Sequence, residues 1–160
     1  MKNIIIASLV CKSLFSAQLG NITSFTELDN EFKIETNDGA VTKIFFIRSD
    51  IFRIWVGPNG NLTNPASEEK TPIVVSNNNP IKIKKSEKND YYELISDSCV
   101  LRIYKNPCMF SLYKKDHSTL LFEEIKPINY GTVSYQSINK NVDDYFYGCG
   151  MQNGHFCHND

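Results

Sequence analysis

The sequence has little excess charge of either sign. It carries 17 Lys and Arg against 18 Asp and Glu, which gives a formal net charge of −1 at pH 7. Binding to a phosphate backbone depends on clustered Lys and Arg, whose contacts release counterions from the nucleic acid. Since no strongly basic stripe is present, we expect no nucleic-acid partner.

Long hydrophobic runs are also missing. The most apolar stretch, residues 4–10, is far too short to cross a bilayer as a permanent helix, so we expect no membrane span. Lys2, this stretch and the small side chain of Ala17 together predict a signal peptide over residues 1–17, cleaved after Ala17. A buried first strand is the alternative for the same residues. With a signal peptide, the mature protein is secreted or periplasmic.

Complete catalytic motifs are absent from the sequence. It contains no Ser-centred nucleophile elbow, no phosphate-binding glycine loop and no zinc-protease helix. Adjacent acids occur at Glu123-Glu124 and Asp143-Asp144. On an extended backbone such neighbours face opposite sides, so neither pair can straddle one glycosidic bond. We therefore predict no catalytic residue in this chain.

Cysteines are few, and one of the five would leave with the signal peptide. An even number in a secreted chain is compatible with disulfides, whose pairing the sequence leaves open, and isolated buried thiols are an equally good interpretation. The four that remain are Cys99, Cys108, Cys149 and Cys157.

Four potential zinc ligands lie close together near the end of the sequence. Cys149 is followed after five residues by His155, Cys157 and His158, which crowd into four positions. A structural zinc knuckle instead begins with two ligands separated by a short turn. The spacing therefore argues against zinc, and we expect no metal and no cofactor.

Short β-prone runs separated by turn residues extend from residue 31 onward, without a convincing amphipathic helix. The clearest element is a hairpin of residues 32–36 and 41–47 around Asn37-Asp38-Gly39, because Asp-Gly supplies the positive φ of a tight turn. A long loop is expected at 57–72. About eleven strands are predicted, enough for two packed sheets and hence an all-β, antiparallel β-sandwich. The others are at 51–56, 73–75, 81–85, 91–95, 99–104, 109–113, 120–124, 132–137 and 145–147.

The last sixteen residues, YFYGCGMQNGHFCHND, have an unusual composition. Their glycines permit positive φ or a close approach to a ligand, and Gln152 and Asn153 offer amide donors and acceptors. A polar loop at residues 138–144 precedes them. This composition favours a polar binding loop, with an ordinary surface turn as the alternative.

The same segment carries a resemblance to a known family. Residues 145–158 resemble YFYGGGMQNGRFSHKG, found where the N-terminal β-sandwich of bacterial glycoside hydrolase family 31 enzymes approaches the catalytic barrel. Residues 91–113, YYELISDSCVLRIYKNPCMFSLY, look like a strand pair of that family that precedes an LLFEE strand, here 120–124. Gln18-Leu19-Gly20-Asn21 is similar to the mature start of secreted members. The resemblance spans nearly all of residues 18–160, although Cys149, His155 and Cys157 replace the family's glycine, arginine and serine.

The resemblance implies a galactose-mutarotase-like β-sandwich over residues 18–160, attached to a (β/α)8 barrel that hydrolyses α-glucosidic bonds with retention. Both catalytic aspartates of this family lie on barrel loops, so this chain is expected to be inactive alone. Its partners would be the missing catalytic barrel of the same polypeptide and an α-glucoside oligosaccharide. The sandwich would brace the barrel and lend a loop to the substrate cleft, with contacts to the substrate from Asp143, Asp144, Gln152 and Asn153.

A free-standing carbohydrate-binding β-sandwich is the alternative, in which aromatics such as Trp55 or Tyr147 would stack on sugar faces. A structural metal or disulfide-rich adhesion domain is a third interpretation. A part of a larger enzyme should expose an apolar patch where the barrel packs, whereas a free-standing module should have a covered, polar surface.

Overall fold

The computed structural model describes residues 16–28, 31–62 and 81–144. Within them the chain forms eleven β-strands and one turn of 3-10 helix at Pro58–Gly60. The strands are β1 (Ser16–Gln18), β2 (Ile22–Leu28), β3 (Glu31–Thr36), β4 (Val41–Arg48), β5 (Ile51–Gly57), β6 (Lys84–Glu87), β7 (Tyr91–Ile95), β8 (Cys99–Lys105), β9 (Cys108–Lys114), β10 (Leu120–Gly131) and β11 (Tyr135–Ile138).

These strands form two antiparallel sheets. The larger, seven-stranded sheet has the order β1-β10-β9-β8-β7-β6 with β11 also paired to β10, and the smaller, four-stranded sheet has the order β2-β3-β4-β5. Asn129 of β10 pairs with both Gln18 and Tyr135, so β1 and β11 flank β10 on opposite edges. The predicted all-β, antiparallel sandwich is confirmed.

The core lies between the two sheets. It is built by the alternating residues that each sheet turns toward the other, as period-2 patterning requires. Phe25 of β2 stacks on Tyr92 of β7 with ring centroids 4.4 Å apart, which joins the sheets directly. The most deeply buried apolar side chains are Leu19, Phe32, Ile34, Ile44, Leu94, Leu101, Ile103 and Phe110.

The predicted hairpin is present as β3 and β4, and its turn also holds the N-terminal segment. Gly39 has a φ of 85°, which supplies the positive φ that the turn needs. The carboxylate of Asp38 accepts hydrogen bonds from the Gly20 amide, at 2.8 Å, and from the Tyr130 hydroxyl. Burial alone would raise the pKa of Asp38, but these hydrogen bonds to the charged form outweigh it and lower the pKa.

The N-terminal segment is part of the larger sheet. Ser16 and Ala17 pair with Gly131 and Tyr130, and the Ser16 hydroxyl donates to Asn129 Oδ1 at 3.0 Å. Cleavage after Ala17 would therefore remove two of the three residues of β1. Residues 1–15 lie outside the described residues, and the signal peptide stays a prediction.

Several predicted strands differ in extent from those observed. β2 was not predicted, and β10 continues to Gly131 where the sequence indicated an end at residue 124. β10 passes through Pro127 because a register shift with β11 between Lys126 and Asn129 spans this residue, where the ladder does not need its missing N–H. β6 begins at residue 84 and β11 at residue 135, later than predicted, while 73–75 and 145–147 lie outside the described residues.

Cys99 and Cys108 are both buried free thiols. Burial, with smaller contributions from Glu124 and Asp38, raises the pKa of Cys108 strongly, so the thiol stays neutral. These two cysteines match the interpretation as isolated buried thiols, while Cys149 and Cys157 lie outside the described residues.

Candidate functional site

The polar loop that follows β11 contains two of the four residues suggested for substrate binding. Asp144 closes a turn: its carboxylate accepts from the Asn141 amide at 2.7 Å and from Asn141 Nδ2 at 3.1 Å. Asp143 is exposed. The structure therefore presents the Asp143 carboxylate to solvent and engages that of Asp144 in the turn, while Gln152 and Asn153 lie outside the described residues.

A buried carboxylate anchors the strand that leads into this loop. Glu124 of β10, only 3% exposed, accepts a hydrogen bond from the Phe110 amide of β9 at 2.8 Å and another from Gln136 Nε2 of β11. Burial raises the pKa of Glu124, and the two hydrogen bonds oppose that shift without cancelling it. Its neighbour Glu123 is partly exposed, so this pair of acids is divided between two sides of the strand, as predicted.

Replacing Glu124 with glutamine should stabilise the fold relative to the native protein as pH rises. A carboxyl whose folded pKa is raised above its unfolded value stabilises the protein below the unfolded pKa, and this contribution is lost as pH rises through the folded pKa. Glutamine still accepts from the Phe110 amide, and a rotated Gln136 amide can accept from its NH2 group.

Urea unfolding between pH 4 and pH 7 measures this effect. At pH 4 the free energy of unfolding of E124Q should be lower relative to that of the native protein. The difference should shift in favour of E124Q as the pH rises toward 7. A pH-independent difference between the two proteins would show that the folded and unfolded pKa values of Glu124 are alike.

Exposed apolar side chains concentrate along β10, β11 and the adjoining turns. Of nine large hydrophobic residues that are exposed in the described part of the chain, seven lie between residues 120 and 142. Single exposed apolar residues are normal, but their concentration in this one stretch of the chain makes it a candidate interaction surface. We call these residues the β10–β11 strip: Leu120, Leu121, Ile125, Val133, Tyr135, Ile138 and Val142.

The outer face of the larger sheet carries a second polar cluster. Arg102 Nε of β8 lies 2.9 Å from Glu93 Oε1 of β7, and its guanidinium stacks over the rings of Tyr113, at 4.0 Å, and Tyr91, at 5.1 Å. Arg102 also donates to the carbonyl of His117 at 3.0 Å. These contacts satisfy the arginine and the glutamate within the fold, so the cluster stabilises the sheet.

An open depression lies at the opposite edge of the larger sheet, at the turn between β6 and β7. Lys105 Nζ contacts Glu87 Oε1 at 2.7 Å and the Lys88 carbonyl at 2.8 Å across it. The ammonium of Lys105 and the carboxylate of Glu87 are thus paired with each other. Nothing there brings together a nucleophile and a general base.

Within residues 16–28, 31–62 and 81–144, no three His, Cys, Asp or Glu side chains are grouped as metal ligands would be. Cys149, His155, Cys157 and His158 are outside these ranges. In the same ranges, none of the helical structure has the length and apolar character of a membrane span.

The fold defines the class of protein as an antiparallel β-sandwich without a catalytic constellation in its described residues. The family model for the "Glycosyl hydrolase 31 N-terminal galactose mutarotase-like domain" matches residues 41–160. The chain therefore belongs to this family, and the resemblance found in its motifs is confirmed. No curated protein matches the chain.

Solved structures show the same fold. A GH31 dextranase from Flavobacterium johnsoniae, complexed with isomaltotriose, is 18% identical with a TM-score of 0.77, and the match covers 88% of this chain and 18% of the dextranase. A cycloalternan-forming enzyme from Listeria monocytogenes, in complex with a pentasaccharide substrate, is 16% identical with a TM-score of 0.68, covering 89% of this chain and 14% of that enzyme. The chain thus spans less than a fifth of the length of these enzymes.

Proposed function

We propose that this chain is the non-catalytic N-terminal domain of a secreted retaining glycoside hydrolase that acts on α-glucosidic bonds. It braces a catalytic (β/α)8 barrel and contributes the loop after β11 to the substrate cleft. The observation that carries the proposal is the β10–β11 strip, a group of exposed apolar side chains on and beside the strands that lead into the loop at residues 138–144. Family membership and the sugar complexes of the similar enzymes support it.

The loop after β11 is suited to the edge of a sugar site. Asp144 and Asn141 fix its backbone, and the exposed Asp143 carboxylate can accept hydrogen bonds from sugar hydroxyls. Glu124 and Gln136 hold the preceding strand, and the Asn139 amide donates to the Glu123 carbonyl at 2.8 Å. The loop thus projects from a rigid base, as a positioning loop requires.

A charge placed in the β10–β11 strip should uncouple the sandwich from the barrel. In a longer polypeptide where the barrel follows this chain, Ile125→Asp should cost at least about 2 kcal/mol of interface free energy, since a carboxylate would be buried without a partner. Thermal unfolding should then change from one transition to two, and hydrolysis of isomaltotriose should fall. Leu28→Asp is the matched control, because Leu28 is 74% exposed and lies on the smaller sheet.

The 160-residue chain alone should not hydrolyse isomaltotriose or an aryl α-glucoside. Turnover by the purified chain would contradict the assignment of catalysis to the barrel. Equal behaviour of the Ile125→Asp and Leu28→Asp polypeptides would exclude the strip as the contact with the barrel.

A further inference from the structure

The outer face of the smaller sheet is a surface whose composition is set by strand register. Phe32, Ile34 and Ile44 are fully buried on the inner face. Residues that alternate with them point outward, and cross-strand partners share a face. Two rows therefore cross the outer face from β2 to β5: Leu28, Glu31, Phe45 and Arg53 in one, and Thr26, Lys33, Lys43 and Trp55 in the other.

An aromatic pair with a stacked guanidinium lies at the β4–β5 side of this face. The Arg53 guanidinium carbon is 4.8 Å from the centre of the Trp55 ring and 5.9 Å from that of Phe45. All three side chains are partly exposed. The guanidinium lies over these two rings, so its N–H donors and the parts of the rings that it leaves uncovered share one surface.

The other charges of the face are paired with each other. Lys43 forms an ion pair with Glu31, and Lys33 Nζ lies 2.7 Å from Glu35 Oε1. An anionic polymer would meet both glutamates, so the face does not suit one. A neutral ligand with an apolar ring face and many hydroxyls matches the aromatic rings, the donors and the acceptors together.

We propose that this face, centred on Trp55, Phe45 and Arg53, is a binding platform for a neutral glucan chain, separate from the cleft beside the barrel. Sugar rings stack their C–H faces on the aromatic side chains, while Arg53 and the Lys43–Glu31 pair hydrogen-bond their hydroxyls. The assignment to α-linked glucans rests on the proposed function. The platform lies on the smaller sheet and the β10–β11 strip on the larger one, so both surfaces can be occupied in one molecule.

Trp55 gives a direct report on this site because it is the only tryptophan of the 160 residues. The experiment titrates the chain with dextran and with glycogen while tryptophan fluorescence is recorded, and affinity electrophoresis in gels containing each glucan gives binding independently. We expect a saturable shift of Trp55 emission. Trp55→Ala should weaken retention in the gels by about tenfold or more.

Two further variants separate the platform from general effects on folding. Arg53→Gln keeps both aromatic rings but removes the guanidinium, and it should weaken binding less than Trp55→Ala while leaving a fluorescence response. Tyr104→Ala removes a partly exposed aromatic ring from the outer face of the larger sheet, where Tyr104 pairs with Tyr91, and it should leave retention unchanged. Circular dichroism establishes that each variant keeps its β-sheet content.

Absence of a Trp55 response, or full retention of Trp55→Ala, would overturn the platform. A shift that follows protein concentration without sugar would identify the face as a protein interface and overturn it also. An equal response to a soluble β-glucan would overturn the assignment to α-linked glucans. The proposed function fails separately, if the longer polypeptide does not hydrolyse isomaltotriose while the Trp55 response to glucan is present.

Discussion

Replacing Arg102 with methionine should lower the free energy of unfolding by about 3–5 kcal/mol, because it removes the guanidinium from the buried Glu93 carboxylate and leaves only the His117 ring nitrogen, 3.4 Å away, beside it. The side chains of Arg102 and Glu93 are only 18% and 5% exposed, so solvent screens their interaction weakly. The substitution also removes the guanidinium that stacks between Tyr91 and Tyr113. Urea unfolding measures the loss as a lower midpoint with an unchanged slope.

Two controls test whether the unpaired carboxylate causes this loss. The double variant Arg102→Met/Glu93→Leu should recover much of the stability, since well-packed apolar residues can replace a buried ion pair at little cost. Arg48→Met breaks an ion pair with Asp50 whose side chains are 62% and 48% exposed, and it should cost less than about 1 kcal/mol. Equal losses for Arg48→Met and Arg102→Met would contradict the role of burial.

Replacing Phe110 with alanine should destabilise the sandwich by about 3–5 kcal/mol, since a large aromatic side chain leaves a cavity that the two sheets cannot fully close. Phe110 is completely buried on the inner face of β9, and its amide is the donor that Glu124 accepts. The substitution leaves that backbone hydrogen bond available, so the loss reports packing. The unfolding midpoint in urea is again the measurement.

Two further substitutions test whether the loss of stability comes from the burial of Phe110 and not from its apolar character alone. Phe110→Leu keeps part of the volume and should cost clearly less than Phe110→Ala. Leu28→Ala removes an apolar side chain that is 74% exposed, and it should change stability by no more than about 0.5 kcal/mol. A loss at Leu28 comparable to that at Phe110 would show that the described burial does not set the energetics.

Strands in which apolar and charged residues alternate strictly, or which turn residues bound at both ends, could be predicted from the sequence. In β3 the apolar Phe32 and Ile34 alternate with charged residues, and both side chains are fully buried. The strands β7, β8 and β9 likewise follow their predicted ranges to within one residue, because each is bounded by turn residues. Local signals suffice where periodicity and turn chemistry agree.

Elements that depend on distant partners could not be predicted. In β2 the apolar residues Ile22, Phe25 and Leu28 recur every third position instead of alternating, and Phe25 packs in the core by stacking on Tyr92 of the other sheet. β10 continues past Pro127 because β11 and β1 pair with its second half. Both outcomes depend on pairing and packing with residues far away in the sequence.

The candidate site likewise has features that the sequence predicts and features that only the structure shows. The sequence showed Asp143 and Asp144 as part of a polar loop before a glycine-rich segment. That the Asp144 carboxylate accepts hydrogen bonds from Asn141 while Asp143 is exposed follows from the turn in the structure. The β10–β11 strip had no sequence signal, since its residues resemble ordinary strand residues until burial is known.

The sequence by itself determined the all-β class, the β3–β4 hairpin and, through its motifs, membership of the glycoside hydrolase family 31 N-terminal domains. Only the tertiary structure decided that Glu124 is buried between three strands, that Arg102 pairs with Glu93, and which apolar residues remain exposed. The physical reason is the distance along the chain over which each kind of interaction acts. Alternation and turn residues act over a few neighbours along the chain, whereas register and sheet packing join residues far apart in sequence.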